Sequence, residues 1–255
     1  LLILAGLYLV VCVILYFLQE KLLFHPTKLP PDYKFYFDIP FEEINLNTTD
    51  NIKLNLLHFK STDAKGAVLF LHGNGGAIHD WGQGAGLYVQ NNYDVLYLDY
   101  REYGKSGGKI KSESQLVSDT QLAYDYLREY FPENQIIVSG TSMGTGMATQ
   151  VAAQNSPAKL LLNSPYFSLK SLVREKVKII PNTIIKYKFD TAFHLEKVKC
   201  PIVIFHGNVD TLIPIKHSQK LKAKYPEIEL NTLNNSAHND ITLHRNYIKR
   251  MNEIL

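Results

Sequence analysis

The pentapeptide Gly140-Thr141-Ser142-Met143-Gly144 constrains this chain more than any other stretch, because of what lies on either side of it. Ile136-Ile137-Val138 before it is a short β-branched run, and Thr145 to Ala153 after it is a small-residue segment that reads as helix. Strand, Gly-x-Ser-x-Gly turn and helix in that order display a serine at a sharp corner. The corner strains the serine backbone, so the residues two before and two after must lack colliding side chains, and Gly140 and Gly144 meet that need. Gly144, Thr145, Gly146 and Ala148 keep the helix thin where it packs behind the strand. Its first N–H groups then face developing negative charge. Ser142 is thereby the candidate nucleophile. The pentapeptide alone occurs by chance in many chains, and the flanking strand and helix are what give it weight here.

Around this corner the chain alternates. Strands are expected at Glu43 to Asn47 and Ile52 to Lys60, an antiparallel pair split by Thr49-Asp50-Asn51, then at Gly66 to Leu71, Val95 to Leu98, Lys159 to Leu162, Ile202 to Phe205 and Ile228 to Leu233. Helices are expected at Asp80 to Gln90, Ser114 to Tyr130, Pro214 to Tyr225 and from Asn239 to the end. Gly66 to Leu71 is apolar throughout, as a strand covered on both faces must be. The pattern argues an α/β fold, a doubly wound and mostly parallel sheet in one domain over residues 41–255.

Tyr166 to Lys199 breaks the alternation. Its apolar residues recur at roughly helical spacing, interrupted by Pro181, and predict a small helical cap inserted at 166–199 over the site. This segment carries eight basic and three acidic residues against a formal charge of +3 for the whole chain, so the remainder is net acidic. The charge is either a solvated helix face or a surface that orients the cap toward an anionic partner; for the second, Lys170, Arg174, Lys176 and Lys178 are the candidates. A net +3 is too small to argue for nucleic acid, which is excluded as a partner.

Leu1 to Leu18 holds no charged residue, and at about 1.5 Å per residue it approaches the ~30 Å of a hydrocarbon core. No A-x-A-like cleavage site follows it and it has no polar face, which favours an uncleaved anchor over residues 1–24, a single pass through a membrane, above a signal peptide or a buried amphipathic helix. Lys21 and Lys28 do not decide which side the domain occupies. The Pro-rich, aromatic stretch 25–40 reads as a tether along the protein or membrane surface.

A serine hydroxyl needs an imidazole to take its proton and a carboxylate to fix that imidazole's tautomer. The order Ser, Asp, His on loops after later strands selects Asp210, in His206-Gly207-Asn208-Val209-Asp210, and His238, after the last strand. Asp240 is the rival acid, but two residues from the histidine it is better placed to cap the final helix. His72 and His206 precede glycines at strand ends and are read as loop braces. The oxyanion hole is expected from the N–H groups of Met143 and Asn74, the latter in His72-Gly73-Asn74-Gly75-Gly76. No zinc spacing, phosphate loop or dinucleotide fingerprint is present, so neither metal nor cofactor is expected.

His-Gly-Asn-Gly-Gly, the loop Asp99 to Gly108, Gly-Thr-Ser-Met-Gly and His-Gly-Asn-Val-Asp together resemble the α/β-hydrolase superfamily. With the apolar amino terminus and Leu23-Phe24-His25-Pro26, the chain is most similar to its membrane-anchored serine hydrolases, a group that includes depalmitoylating thioesterases. The resemblance implies ester or thioester cleavage of a small-molecule or lipid acyl substrate. A peptidase of the superfamily and a non-catalytic binding protein on the same fold are the alternatives. The loop Asp99-Tyr100-Arg101-Glu102-Tyr103-Gly104 departs from the usual Arg-Gly-x-Gly, with Glu102 where glycine is common. If that position needs a positive φ, glutamate costs about 1 kcal/mol there and brings a carboxylate to the rim of the site.

Overall fold

The structure is a computed structural model that describes residues 2–255. Its sheet has eight strands: β1 (Phe41–Asn47), β2 (Lys53–Phe59), β3 (Gly66–Leu71), β4 (Tyr93–Leu98), β5 (Ile136–Thr141), β6 (Lys159–Asn163), β7 (Ile202–Gly207) and β8 (Glu229–Leu233). The spatial order is β8-β7-β6-β5-β3-β4-β2-β1, with the last two pairings antiparallel to their neighbours and the rest parallel. The longer helices are α1 (Leu2–Leu23), α2 (Glu113–Arg128), α3 (Gly144–Gln154), α4 (Leu169–Lys176), α5 (Lys216–Lys224) and α6 (Arg245–Ile254).

Side-chain alternation along the strands feeds two cores. Ala67, Leu69 and Leu71 of β3 pack with α2 and α3, whereas Val68 and Phe70 pack with Ile78, Tyr88 and residues of α6. Each face is therefore covered, which is the reason β3 lacks a polar position. The helix expected at Asp80 to Gln90 is broken into Ile78–Trp81, a 3-10 turn over Gly82–Gly84, and Ala85–Val89. Three glycines in five residues, at Gly82, Gly84 and Gly86, weaken a continuous helix by about 1 kcal/mol each.

β3 and β5 lie side by side, with Leu71 opposite Gly140, and the chain leaves them toward opposite edges of the sheet. That reversal opens a crevice at their carboxyl ends, where the loop 72–76 and the corner at Ser142 meet.

α1 is long and apolar enough to cross a bilayer. It does not stand clear of the rest of the chain. Tyr8 donates to the Ile179 carbonyl at 2.8 Å, and Gln19 donates to the Ile184 carbonyl at 2.7 Å. Phe24 is buried, edge-on to Tyr187 with ring centroids 5.0 Å apart. The stretch 25–40 is a strap held to the protein. His25–Pro26 pairs with Gly75–Gly76, the Leu29 N–H donates to the Gly104 carbonyl at 2.9 Å, and Leu29 and Phe35 are buried.

The cap is less helical than its spacing predicts. Besides the short helix Thr191–His194 and the 3-10 turn Leu195–Lys197 that follows it, α4 forms, opened by a reciprocal cap in which Ser168 Oγ accepts from the Ser171 N–H at 3.1 Å and Ser171 Oγ accepts from the Ser168 N–H at 3.2 Å. From Val177 to Asp190 the chain is irregular apart from a 3-10 turn at Asn182–Ile184. The β-branched run and Pro181 disfavour helix, and the backbone is bonded elsewhere: the N–H groups of Lys188 and Phe189 donate to Glu113 Oε2 at 2.8 and 3.0 Å.

Candidate active site

Ser142 sits just past β5 with φ +52°, the left-handed region that a side chain occupies only under constraint. The constraint comes from both sides. Its N–H donates to the Asn163 carbonyl at 2.8 Å, and its own carbonyl accepts from Thr145 Oγ1 at 2.6 Å. A Cβ on Gly140 would stand 2.6 Å from the Gly144 carbonyl oxygen, and one on Gly144 would collide with the Leu71 carbonyl. The two glycines thus permit α3 to approach within backbone contact of β3 and β5.

Ser142 Oγ lies 2.9 Å from His238 Nε2, and His238 Nδ1 lies 2.7 Å from Asp210 Oδ2. A carboxylate only accepts, so Nδ1 carries the proton and Nε2 is left to accept from the serine hydroxyl. Burial pushes the Asp210 pKa up, but hydrogen bonds from His206 and His238 and the backbone N–H of Ile213 outweigh it and hold the carboxyl well below its usual range. Oδ1 accepts from the N–H groups of Leu212 and Ile213 at 2.9 and 2.8 Å, and Oδ2 also accepts from Ser164 Oγ at 2.8 Å. The arrangement can move a proton off Ser142 while keeping Asp210 charged.

Asp240 is 3.2 Å from the Ala237 N–H through Oδ2 and holds the loop that carries His238. It does not cap the final helix, as its position in sequence suggested. α6 starts five residues later, and His244 Nδ1 accepts from the Asn246 N–H instead. His206 is a brace, bonded to Ser218 Oγ at 2.6 Å and the Ile213 carbonyl at 2.7 Å. His217, which has no partner in sequence terms, accepts from the Phe167 N–H at 3.1 Å and so pins the start of the cap to α5.

Among the described residues, the backbone N–H groups of Asn74 and Met143 have no hydrogen-bond acceptor, and both residues flank Ser142. Tyr103 fixes the Asn74 loop, donating to its carbonyl at 2.7 Å, and the strap does the same through the His25 N–H on Asn74 Oδ1 at 3.1 Å. Tyr166 donates to the Met143 carbonyl at 3.0 Å. Ser164, Tyr103 and Tyr166 were not singled out from the sequence. Tyr103 lies in a loop that was, whereas Ser164 and Tyr166 carry no local signal.

Glu102 does occupy a positive φ, at +69°. Its carboxylate is not at the rim of the site, because Oε2 accepts from the Ile110 N–H at 3.0 Å and closes its own loop. The adjacent Arg101 is buried and bridges Asp119 at 2.6 Å and Asp50 at 2.7 Å, tying that loop to α2 and to the β1–β2 turn.

Two lobes meet at Ser142. One, of about 430 Å³, is partly polar, with Asp80, Asn163, His238 and Thr242 on its walls. The other, of about 360 Å³, is apolar, lined by Leu169, Leu172 and Val173 of α4 and by Leu22 and Phe24 at the end of α1. The family model described as serine aminopeptidase, S33, matches residues 62–192, just over half of the chain. The chain belongs to the α/β-hydrolase superfamily. The chain is 31% identical over 207 residues to human alpha/beta hydrolase domain-containing protein 17B, a match covering 76% of this chain and 68% of that protein. It is 31% identical over 197 residues to the aho-3 protein of Caenorhabditis elegans, covering 74% of this chain and 57% of the relative. The chain thus spans little more than half of that curated relative. An uncharacterised protein of Acanthamoeba polyphaga mimivirus matches over 92% of the chain and 90% of its own length at 26% identity. Among solved structures, an esterase of Pyrococcus furiosus superposes with a TM-score of 0.72 at 20% identity, covering 91% of this chain and 97% of that one. At that identity the likeness is one of fold.

Proposed function

We propose that this hydrolase cleaves carboxylic esters or thioesters through an acyl-enzyme on Ser142, with lipids or acylated molecules at a membrane as substrates. The observation that carries the reading is the hydrogen-bond chain from Ser142 to His238 to Asp210, opening on an apolar lobe. In the first half-reaction His238 Nε2 takes the Ser142 proton as Oγ attacks the acyl carbon, and the N–H groups of Asn74 and Met143 receive the oxyanion. His238 then returns the proton to the departing oxygen or sulfur. Water, deprotonated by the same nitrogen, releases the acid and regenerates the serine. Asp210 stays ionised throughout. The acyl group fits the apolar lobe and the leaving group the polar one. In this reading residues 1–24 are a single-pass anchor, 25–40 a strap and 41–255 the hydrolase domain, with the cap at 166–199.

A fluorophosphonate probe is expected to label the wild type at Ser142 and not the Ser142→Ala variant. An unlabelled wild type overturns the reading. A panel of p-nitrophenyl esters and acyl thioesters then sets the bond and chain length.

An aminopeptidase is the second reading, favoured by the family model's description and by Asp80, a carboxylate on the polar lobe that could meet a substrate amine. The cap offers no second acid there, since Glu175 faces Lys216 at 2.8 Å and His217 at 3.3 Å. Cleavage of aminoacyl p-nitroanilides faster than of esters would select it.

A further inference from the structure

The apolar lobe has an unexpected wall. Leu22 and Leu23 end α1 and Phe24 directly follows it, and the three face Leu172, Val173 and Val177 of the cap across the groove that runs to Ser142. An anchor that served only as a leash would have no reason to be held in register with the cap. This one is. Gln19 donates to the Ile184 carbonyl at 2.7 Å and accepts from the Lys186 N–H at 2.9 Å, so one side-chain amide satisfies both groups of an irregular cap backbone. Glu20 meets Lys186 Nζ at 3.1 Å and accepts from the Tyr187 hydroxyl at 3.1 Å. Phe24 closes the contact from below, packed on Tyr187.

These polar residues stand at the end of an apolar run, where a spanning helix leaves the hydrocarbon. The groove mouth is beside them, so it lies at the level where acyl chains end and headgroups begin. The outer rim is apolar as well: Leu22 is 55% exposed, Val177 41% and Ile179 67%. A rim of this kind is unfavourable in water and favourable against lipid. Among the described residues, the one Lys, Arg, Asp or Glu on the groove is Lys176, which donates outward to the Thr211 carbonyl at 2.9 Å.

From this we infer that the carboxy-terminal turn of α1 is part of the acyl-binding site, and that the groove between it and α4 is a channel through which a substrate's acyl chain passes sideways from the bilayer to Ser142. The inference rests on the serine hydrolase reading above. It adds that the anchor selects substrate as well as holding the enzyme. A chain longer than the groove continues along the exposed apolar surface of α1 without meeting water.

The test uses the full chain in phosphatidylcholine nanodiscs, with p-nitrophenyl butyrate and laurate as substrates and fluorophosphonate labelling as the count of competent sites. Leu22→Trp, on the anchor, and Leu172→Trp, on the cap, both narrow the groove. Each is expected to lower the laurate-to-butyrate ratio of kcat/KM at least tenfold per labelled site. Leu22→Ala removes bulk at an exposed position and is the variant that folding tolerates; it is expected to shift the preference toward longer chains. Labelling at wild-type level with an unmoved ratio in both Leu22 variants overturns the channel and leaves the hydrolase reading intact. A shift with Leu172→Trp alone also overturns it, because the groove would then be the cap's own. A wild type that takes no label overturns both.

Discussion

The two flanks of Ser142 are built on opposite plans. On the elbow side, every residue from Gly144 to Ala152 is buried, and the decisive contacts are backbone on backbone. On the cap side α4 has no buried residue, and the cap is tied to α1 through side chains, Gln19 donating to the Ile184 carbonyl and accepting from the Lys186 N–H. The first plan leaves almost no freedom: the geometry of Ser142 depends on atoms that any Cβ would displace. The second leaves a great deal, since each contact is a separate side chain that another residue could replace. In the proposed reading, chemistry is fixed where the backbone fixes it, and substrate choice lies where exchange is cheap.

The largest effect that would sharpen this contrast lies on the rigid flank. Ser142→Ala is expected to abolish acyl transfer, and Asp210→Asn to lower kcat on a p-nitrophenyl ester by about 10³ to 10⁴-fold through the histidine tautomer. Asp240→Asn is expected to stay within about tenfold of wild type, as loss of a single neutral-donor bond costs about 1 kcal/mol. A dead Asp240→Asn beside an active Asp210→Asn would reverse the assignment.

Phe24→Ala comes next. Its ring is buried against Tyr187 at the junction of α1 and the cap, and truncation of such a residue costs about 3 kcal/mol or more. Urea unfolding of the full chain in detergent reads that loss. A change under about 0.5 kcal/mol would mean the anchor end is detached, and would break the comparison on its cap side.

A smaller effect is expected from the cap charges. Lys176 is engaged with the Thr211 carbonyl, which leaves Lys170, Arg174 and Lys178 as the side chains free to meet an anionic surface. Replacing those three with Gln is expected to reduce turnover on anionic vesicles by up to about a hundredfold, at about 1 kcal/mol per charge, with the difference shrinking in high salt. Equal turnover at low salt would return the charge to a solvated face.

The smallest effect is expected at Glu102. Glu102→Gly relieves a positive φ worth about 1 kcal/mol but forfeits the bond to the Ile110 N–H, worth a similar amount. The midpoint of urea unfolding is expected to move by less than the equivalent of about 1 kcal/mol. Glu102→Ala keeps the strain and loses the same bond, so the difference between it and Glu102→Gly isolates the backbone contribution.

The sequence by itself determined the sheet, the corner and the order of the three side chains now found within hydrogen-bond reach. Those features are written locally: continuous apolar runs for doubly covered strands, glycines where a helix touches a strand, and a serine, an aspartate and a histidine each just past a strand end. It also named Asn74 and Met143, which both line the lobe beside Ser142. What it did not carry is every contact between segments far apart in the chain. Ser164 on Asp210, 46 residues away, and Gln19 on Lys186, 167 residues away, show no periodicity and no motif. The cap misled for the same reason: helical spacing in 166–199 was overridden once Glu113 and Gln19 took the backbone groups a helix would have used. Whether α1 stands clear of the cap or packs on it is likewise absent from its composition. An apolar helix reads the same in either case, and only the partner that Leu22 and Phe24 face in three dimensions distinguishes them.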